Sequence, residues 1–446
     1  MSSFPIQLAS RLVLDSISYS NCLPPWLDGV ELNFADWDRP IRNRIQEYLN
    51  GRKPEKPFAI LVPKKNGSKK PWLIPSVADQ VVLQAAVSGL ARRVIQRVDD
   101  KRVFSYRCNR DPDRLLFVES QIRSWTQFQE KTENRLKQPS SFMLQLDLES
   151  AYRRIQRGKF YDFLEQVAGG GDEVKIIRLL IDGFAGEEEG LPLVNDSVFF
   201  LGNVYLSTVD EIIRREAPDF IRFVDDYRIF GDSKDALSDM FSRIHRALAG
   251  TNFAISIPKV KIGSSSEYLD AIRRAGEARG KGYDDYVSAA ILSDVIAPEG
   301  LAELVAQVIN KPDEFMNEGL GRFLLGAVRR MRLNDDVTMQ MNYPGSPLER
   351  FDAAIHERKG LVDSAAELLK QYSSQADEAW RAVWIAYVFS EYLPYSICEA
   401  IRGNRSVPAV VQLWTVCAKR PFRERPDNTA FPDDLNYLEE GRKYHA

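Results

Sequence analysis

The stretch Phe220-Ile-Arg-Phe-Val-Asp-Asp-Tyr-Arg-Ile-Phe230 decides how the chain is read. Two apolar, β-prone runs flank an acidic pair, which predicts a tight hairpin with Asp225 and Asp226 at its tip. A third acid stands in a similar setting upstream. SFMLQLDLE (141–149) reads as a strand that delivers Asp147 near its end. Carboxylates set in apolar strand sequence are costly to bury unless a positive charge compensates them. A hard divalent cation suits them, because Mg2+ takes a few carboxylates and completes its shell with phosphate oxygens. Two plainer readings stand beside this one. Asp-Asp is an ordinary turn pair, and an acid at a strand end often caps the following helix.

Upstream, PFAILVPKKNGSKKPWLIP (57–75) predicts a β-hairpin turning at Asn66-Gly67. Apolar residues recur at helical spacing over 79–98 and more weakly over 113–136. After Asp147, AYRRIQRGKFYDFLEQV (151–167) reads as one helix stopped by Gly169-Gly170-Gly171. Helices are expected over 172–184, after Asp196 and over 234–248, with a strand in NFAISI (252–257). From about 267 onward the periodicity is nearly all helical, in the segments 301–309, 318–332, 361–372, 379–393 and 408–417. The expectation is an α+β part followed by an all-α part whose helix pairs stack as a degenerate, HEAT-like repeat.

The 446 residues, 44% apolar and 28% charged, have the balance of an ordinary globular protein and room for two or three domains. Four cysteines without a CxxC pair and only three histidines leave little material for a zinc site or a Cys/His catalytic pair. The first residues lack a basic region followed by an apolar run, and AVWIAYVF (382–389) is core-sized rather than membrane-sized. A soluble, cytoplasmic protein is expected. The net charge of −3 hides a polarised distribution. Between Arg52 and Arg110 fourteen Lys/Arg face four acids, so that strip is +10 and the remainder −13. A basic strip of this kind suits a nucleic-acid partner.

Taken in order, the motifs resemble those of reverse transcriptases. Asp147-Leu-Glu-Ser-Ala-Tyr152 resembles the first palm motif. Gly190-Leu-Pro192 with Leu201-Gly-Asn203-Val-Tyr205 resembles the second, and Arg222-Phe-Val-Asp225-Asp226 the third. Phe253–Lys259 resembles the following strand, and Val62–Pro75 the fingers hairpin. Asp79–Gln84 and Ser105-Tyr106-Arg107 resemble further fingers segments. The match spans about 57–262.

The resemblance implies a right-hand polymerase with three parts: an N-terminal region with fingers (1–140), a palm (141–265) and an all-α C-terminal domain (267–446). It implies that Asp147 and Asp225 hold two Mg2+ ions, for which Mn2+ can substitute, with Asp226 supporting and the Leu148 carbonyl completing one shell. Lys64, Lys65 and Lys70 would clamp the triphosphate, with Arg107 and Lys259 also near the nucleotide. Tyr152 would bar a ribose 2′-OH; packing in the palm core is its plainer reading, as a solvated turn is for the lysines. Gly190, Pro192, Leu193, Val194 and Asn203 would line the template and primer. Where the family has Gln-Gly, this chain has Leu193-Val194, a change that bears on template use.

With its helical extension, the chain resembles the bacterial abortive-infection and defence-associated reverse transcriptases. That group implies antiphage defence, synthesis of single-stranded DNA from dNTPs without a template, priming on a protein tyrosine, and a homo-oligomer. Tyr19 and Tyr48 are the N-terminal candidates for such a primer. Two alternatives stay open: cDNA synthesis on a bound non-coding RNA, and a catalytically degenerate scaffold or sensor that only binds nucleic acid.

Overall fold

A computed structural model describes residues 4–18, 34–64, 67–108, 121–138, 141–269, 298–317, 320–321, 324–328, 331, 347–389, 392–394, 396–397, 400–401 and 404. The helices used below are α1 (Ile6–Ser18), α2 (Phe34–Leu49), α3 (Val77–Val94), α4 (Gln121–Leu136), α5 (Arg157–Ala168), α6 (Asp172–Ala185), α7 (Asp196–Tyr205), α8 (Ser207–Glu216) and α9 (Lys234–Leu248). The strands are β1 (Phe58–Pro63), β2 (Lys69–Ile74), β3 (Phe142–Asp147), β4 (Phe220–Phe223), β5 (Asp226–Gly231) and β6 (Lys261–Ser264). The protein is mixed α+β and divides into two compact units. One collects residues 1–13, 33–57 and 75–278, the other 14–32, 58–74 and 279–446.

The first unit is built on an antiparallel sheet ordered β4-β5-β3-β6. Leu144, Leu146, Tyr227 and Ile229 alternate onto one face and are fully buried. Each such apolar side chain contributes about 1.5–3 kcal/mol on burial. Helix α9 packs on β3, β5 and β6. It starts at Ser233, whose hydroxyl accepts from Ala236 N at 3.1 Å. A second cluster, Phe104, Phe128, Leu136, Met143, Ile221 and Phe230, joins α4 to the strands.

Helix α3 is buried along nearly its whole length and contacts α2, α5, α6 and α7, as its all-round apolar sequence requires. Most of its buried polar groups are partnered, although Asp79 Oδ2 has no hydrogen-bond partner. Gln84 Oε1 accepts from Ser197 Oγ at 2.6 Å, and Gln80 Nε2 donates to Pro75 O at 3.0 Å. Asp79 Oδ1 accepts from Arg44 Nε at 2.8 Å and from the Tyr48 hydroxyl. Tyr48 is therefore buried, and burial followed by the Asp79 charge pushes its phenol pKa up. Such a hydroxyl is not presented for priming; Tyr19 lies outside the described residues.

In the second unit β1 and β2 pair from Phe58↔Ile74 to Pro63↔Lys69. The helices Pro298–Asn310, Leu361–Ser373 and Ala379–Val388 follow the predicted periodicity, and a further helix, Pro347–Glu357, was not among the expected segments. The predicted segment 408–417 lies outside the described residues. Trp380 and Trp384 are fully buried, and a Cβ on Gly321 would fall 2.3 Å from the Trp380 ring. Lys69 ties the hairpin to this helical part, with Nζ 2.8 Å from Asp377 and 2.7 Å from Glu378. Among the described residues no helix is long and apolar enough to cross a membrane.

Two local expectations are corrected. The single helix over 151–167 is instead a 3-10 turn, Ala151–Arg154, followed by α5. Leu191 N donates to the Tyr152 carbonyl at 2.9 Å, and the same oxygen accepts from Ile155 N at 3.4 Å, which closes the turn as 3-10 rather than α. The strand expected over 252–257 is reduced to a single bridge, Leu148↔Ile255. Pro258 opens a 3-10 turn there, and the strand forms later, as β6.

Candidate active site

Sheet register brings the acids together. Asp147 ends β3, Asp226 opens β5, and the two are Cα partners. Directly opposite residues of an antiparallel pair share a face, so their like charges confront each other. Asp225 stands beside them in the loop between β4 and β5. The hairpin tip is shifted by one residue from expectation: the loop is Val224–Asp225, and Asp226 belongs to the strand. That shift is what sets Asp226 opposite Asp147.

The loop is strained. Val224 has φ 55°, at a two-residue hairpin position that favours glycine. A β-branched residue there is a genuine outlier, at a cost on the order of 1–3 kcal/mol. Among the described residues the only other non-glycine positive-φ positions are Tyr106 and Ser150. Ser150 lies three residues beyond Asp147, and Tyr106 adjoins Ser105, whose hydroxyl accepts from Val224 N at 2.8 Å.

Burial, and then the charge of Asp147, pushes the Asp225 carboxyl up to about 6; a backbone hydrogen bond, Lys259 and Arg222 oppose this. Asp226 is likewise raised to about 6, by burial and by its two acidic neighbours, against the pull of Arg228 and a hydrogen bond from Gln145. Asp226 Oδ1 is buried with no hydrogen-bond partner. Lys259 Nζ lies 2.8 Å from Asp147 Oδ1. Burial lowers its ammonium pKa, but the Asp147 hydrogen bond and the surrounding carboxylates raise it overall.

An orphaned carboxylate oxygen and two carboxyls resisting ionisation fit a divalent cation. Among the described residues no three His, Cys, Asp or Glu side chains gather closely enough to hold an ion alone. A hard cation such as Mg2+ bound there would draw most of its shell from water and phosphate oxygens. Leu148, which would lend its carbonyl, is fully buried and donates its N–H to Asp225 O at 3.1 Å.

Tyr152 lies beside the acids and is buried. Its hydroxyl donates to Phe199 O at 2.9 Å, and its ring meets Phe199 edge-on at 5.6 Å. A Cβ on Gly202 would fall 2.3 Å from that ring. Burial, then the Asp225 charge, pushes the Tyr152 phenol pKa up. Gly190 has φ 83°, and a Cβ there would fall 2.4 Å from the Arg153 backbone. Pro192 and Val194 are buried and Leu193 half-buried, so of the Leu193-Val194 pair Leu193 is the more accessible. Asn203 is fully buried, with its amide engaged by Ser105 and Arg222.

The remaining predicted residues are placed as follows. Arg107 braces its own loop, with Nε on Val103 O at 2.7 Å, Nη1 on Gln127 at 3.0 Å, and the guanidinium over Phe104. Lys64 and Lys70 belong to the β1–β2 unit; Lys64 is exposed, and Lys70 lies 5.4 Å from the Trp72 ring centroid. Lys65 lies outside the described residues.

Sequence reasoning missed Asp210 and the part played by Arg222. Arg222 is fully buried and held by Asp210 through both carboxylate oxygens, at 2.7 and 2.8 Å. The signal was present: a charged residue inside an apolar strand, and an acid on the apolar face Val209-Ile213 of α8.

No protein-family model and no curated protein matches the chain. Among solved structures it is similar to apo telomerase from Candida tropicalis, at 12% identity and a TM-score of 0.37, over 91% of this chain and 74% of that one. It is also similar to the same telomerase truncated from its C-terminal domain, at 12% identity and a TM-score of 0.32, over 52% of this chain. The chain spans 55% of that structure's length. Likeness of this size bears on neither activity nor partners.

Proposed function

We propose that the chain is a reverse-transcriptase-type nucleotidyltransferase that adds dNTPs to a hydroxyl primer. The observation that carries this is the register pair Asp147–Asp226 across β3 and β5, with Asp225 on the adjoining turn. A scaffold has no use for such an arrangement, which argues against the degenerate reading. Asp147 and Asp225 would hold the ions, with Asp226 supporting. Bound Mg2+ or Mn2+ would supply activation of the attacking hydroxyl and neutralisation of charge on the departing pyrophosphate. Lys259 holds a proton and a positive charge against Asp147, where it can meet triphosphate oxygens. Tyr152, clamped by Phe199 and Gly202, offers a rigid wall beside Asp225 for the sugar of the incoming nucleotide.

In this reading the sheet is a palm, β1–β2 the fingers hairpin, and the C-terminal helices a HEAT-like extension of a homo-oligomeric defence enzyme. Its product is single-stranded DNA made without a template, on a tyrosine other than Tyr48. The +10 strip favours a second reading, templated synthesis on a bound non-coding RNA. Incubation of the purified protein with Mn2+ and each labelled dNTP, before and after nuclease treatment, separates them. Incorporation that survives nuclease supports untemplated synthesis, incorporation lost with nuclease supports the bound RNA, and none in any condition rejects both.

A further inference from the structure

We infer that Ser105 and Asn203 are positioning residues for Asp225, acting through the strained Val224 turn; the inference rests on the metal-dependent reading above. Val224 is fastened at both polar atoms of its backbone. Its N–H donates to Ser105 Oγ at 2.8 Å, and its carbonyl accepts from Arg222 Nη1 at 2.8 Å. Asn203 joins the two fasteners. Its Oδ1 accepts from Ser105 Oγ at 2.9 Å and from Arg222 Nη1 at 2.6 Å, while its Nδ2 donates to Ser105 O at 3.0 Å. Ser105, Asn203 and Arg222 are all fully buried.

The wider frame is equally specific. Asp210 clamps Arg222 and also accepts from the Tyr227 hydroxyl at 2.8 Å. Arg222 exchanges backbone hydrogen bonds with the loop before Ser105: Phe104 N donates to Arg222 O at 2.9 Å, and Arg222 N to Arg102 O at 2.8 Å. Asp225 O takes Leu148 N, so the same turn is anchored to the end of β3. A valine released from these bonds leaves the left-handed region, because its branched Cβ clashes there. The next residue is Asp225, and its carboxylate would swing with the peptide. Neither Ser105 nor Asn203 reaches the carboxylates; their effect passes through the backbone.

The test uses the full chain with Ser105→Ala, Val224→Gly and the double variant. Mn2+ affinity is read by the loss of the free aquo-ion signal in electron paramagnetic resonance, alongside urea midpoints and dNTP kinetics. Ser105→Ala should weaken Mn2+ binding about tenfold and lower kcat, with KM for the dNTP moving less than about twofold. Val224→Gly in the same background should restore most of the lost Mn2+ affinity, because glycine takes positive φ freely. A purely structural serine would lower the urea midpoint and leave Mn2+ affinity unchanged; that result, or the absence of rescue, overturns the inference. Should Ser105→Ala fail to fold, Ser105→Cys, which fills the site with a slightly larger and weaker donor, is read the same way. Weakened Mn2+ binding with rescue, in a chain that incorporates no dNTP, keeps the positioning role and removes the polymerase. A wild-type chain that binds no Mn2+ overturns both.

Discussion

Asp225 and Asp226 resist ionisation in a fold that nonetheless keeps them next to Asp147, and that tension has a measurable cost. Replacing both by Asn removes two buried like charges while keeping their volume. The double variant should be more stable than wild type by on the order of 2 kcal/mol in EDTA near neutral pH, read from urea unfolding. Mg2+ should raise the wild-type midpoint and leave the variant's unchanged. Arg222 makes the opposite case, since its charge is matched. Arg222→Met leaves Asp210 buried and uncompensated and should cost about 3–5 kcal/mol, of which an Asp210→Asn partner change recovers part. Lys259 is the contrast: its side chain is 64% exposed, so Lys259→Ala should alter stability by less than about 1 kcal/mol while lowering turnover.

At the scale of the element, the approach of α7 to Tyr152 is set by one missing methyl. Gly202→Ala puts a carbon 2.3 Å from the Tyr152 ring and should destabilise the unit by about 1–3 kcal/mol. Because the obstruction is a side chain, Tyr152→Ala combined with Gly202→Ala should recover part of that loss in a double-mutant cycle. Gly190→Ala meets the Arg153 backbone instead, so no side-chain change should rescue it. This is also the scale at which the sequence was most and least informative. Strand β3, the β1–β2 hairpin, α6 and α9 were legible because alternation or helical spacing ran uninterrupted between clear stop signals. The break at Ile155, the reduced strand near Ile255 and the one-residue shift of the hairpin tip were not. Each depends on a distant group or a backbone constraint: the Leu191 amide on Tyr152 O, Pro258, and the fastening of Val224 by Ser105 and Arg222. The three acids were legible as unusual carboxylates in apolar strands. The buried pair Arg222–Asp210 was visible only as two misplaced charges, which could not be matched before the fold joined them.

At the scale of the whole molecule, the sequence segment between Arg52 and Arg110, at +10 in a chain of net charge −3, is the part whose charge would attract a polyanionic partner. Binding to single-stranded nucleic acid should fall steeply with salt, with a log–log slope of about −4 for some six phosphate contacts. A slope near zero would mean that the strip makes no such contacts. Basic charge alone does not make an enzyme, however, and the central claim is that three acids at one sheet end support nucleotidyl transfer. Pyrophosphate release measured beside incorporation of α-labelled dNTP, for wild type and the Asp225→Asn/Asp226→Asn variant with Mg2+ or Mn2+, tests it most directly. The account predicts one pyrophosphate per nucleotide incorporated in the wild type and neither in the variant. Equal incorporation by the two proteins, or none by the wild type with any dNTP, would contradict it.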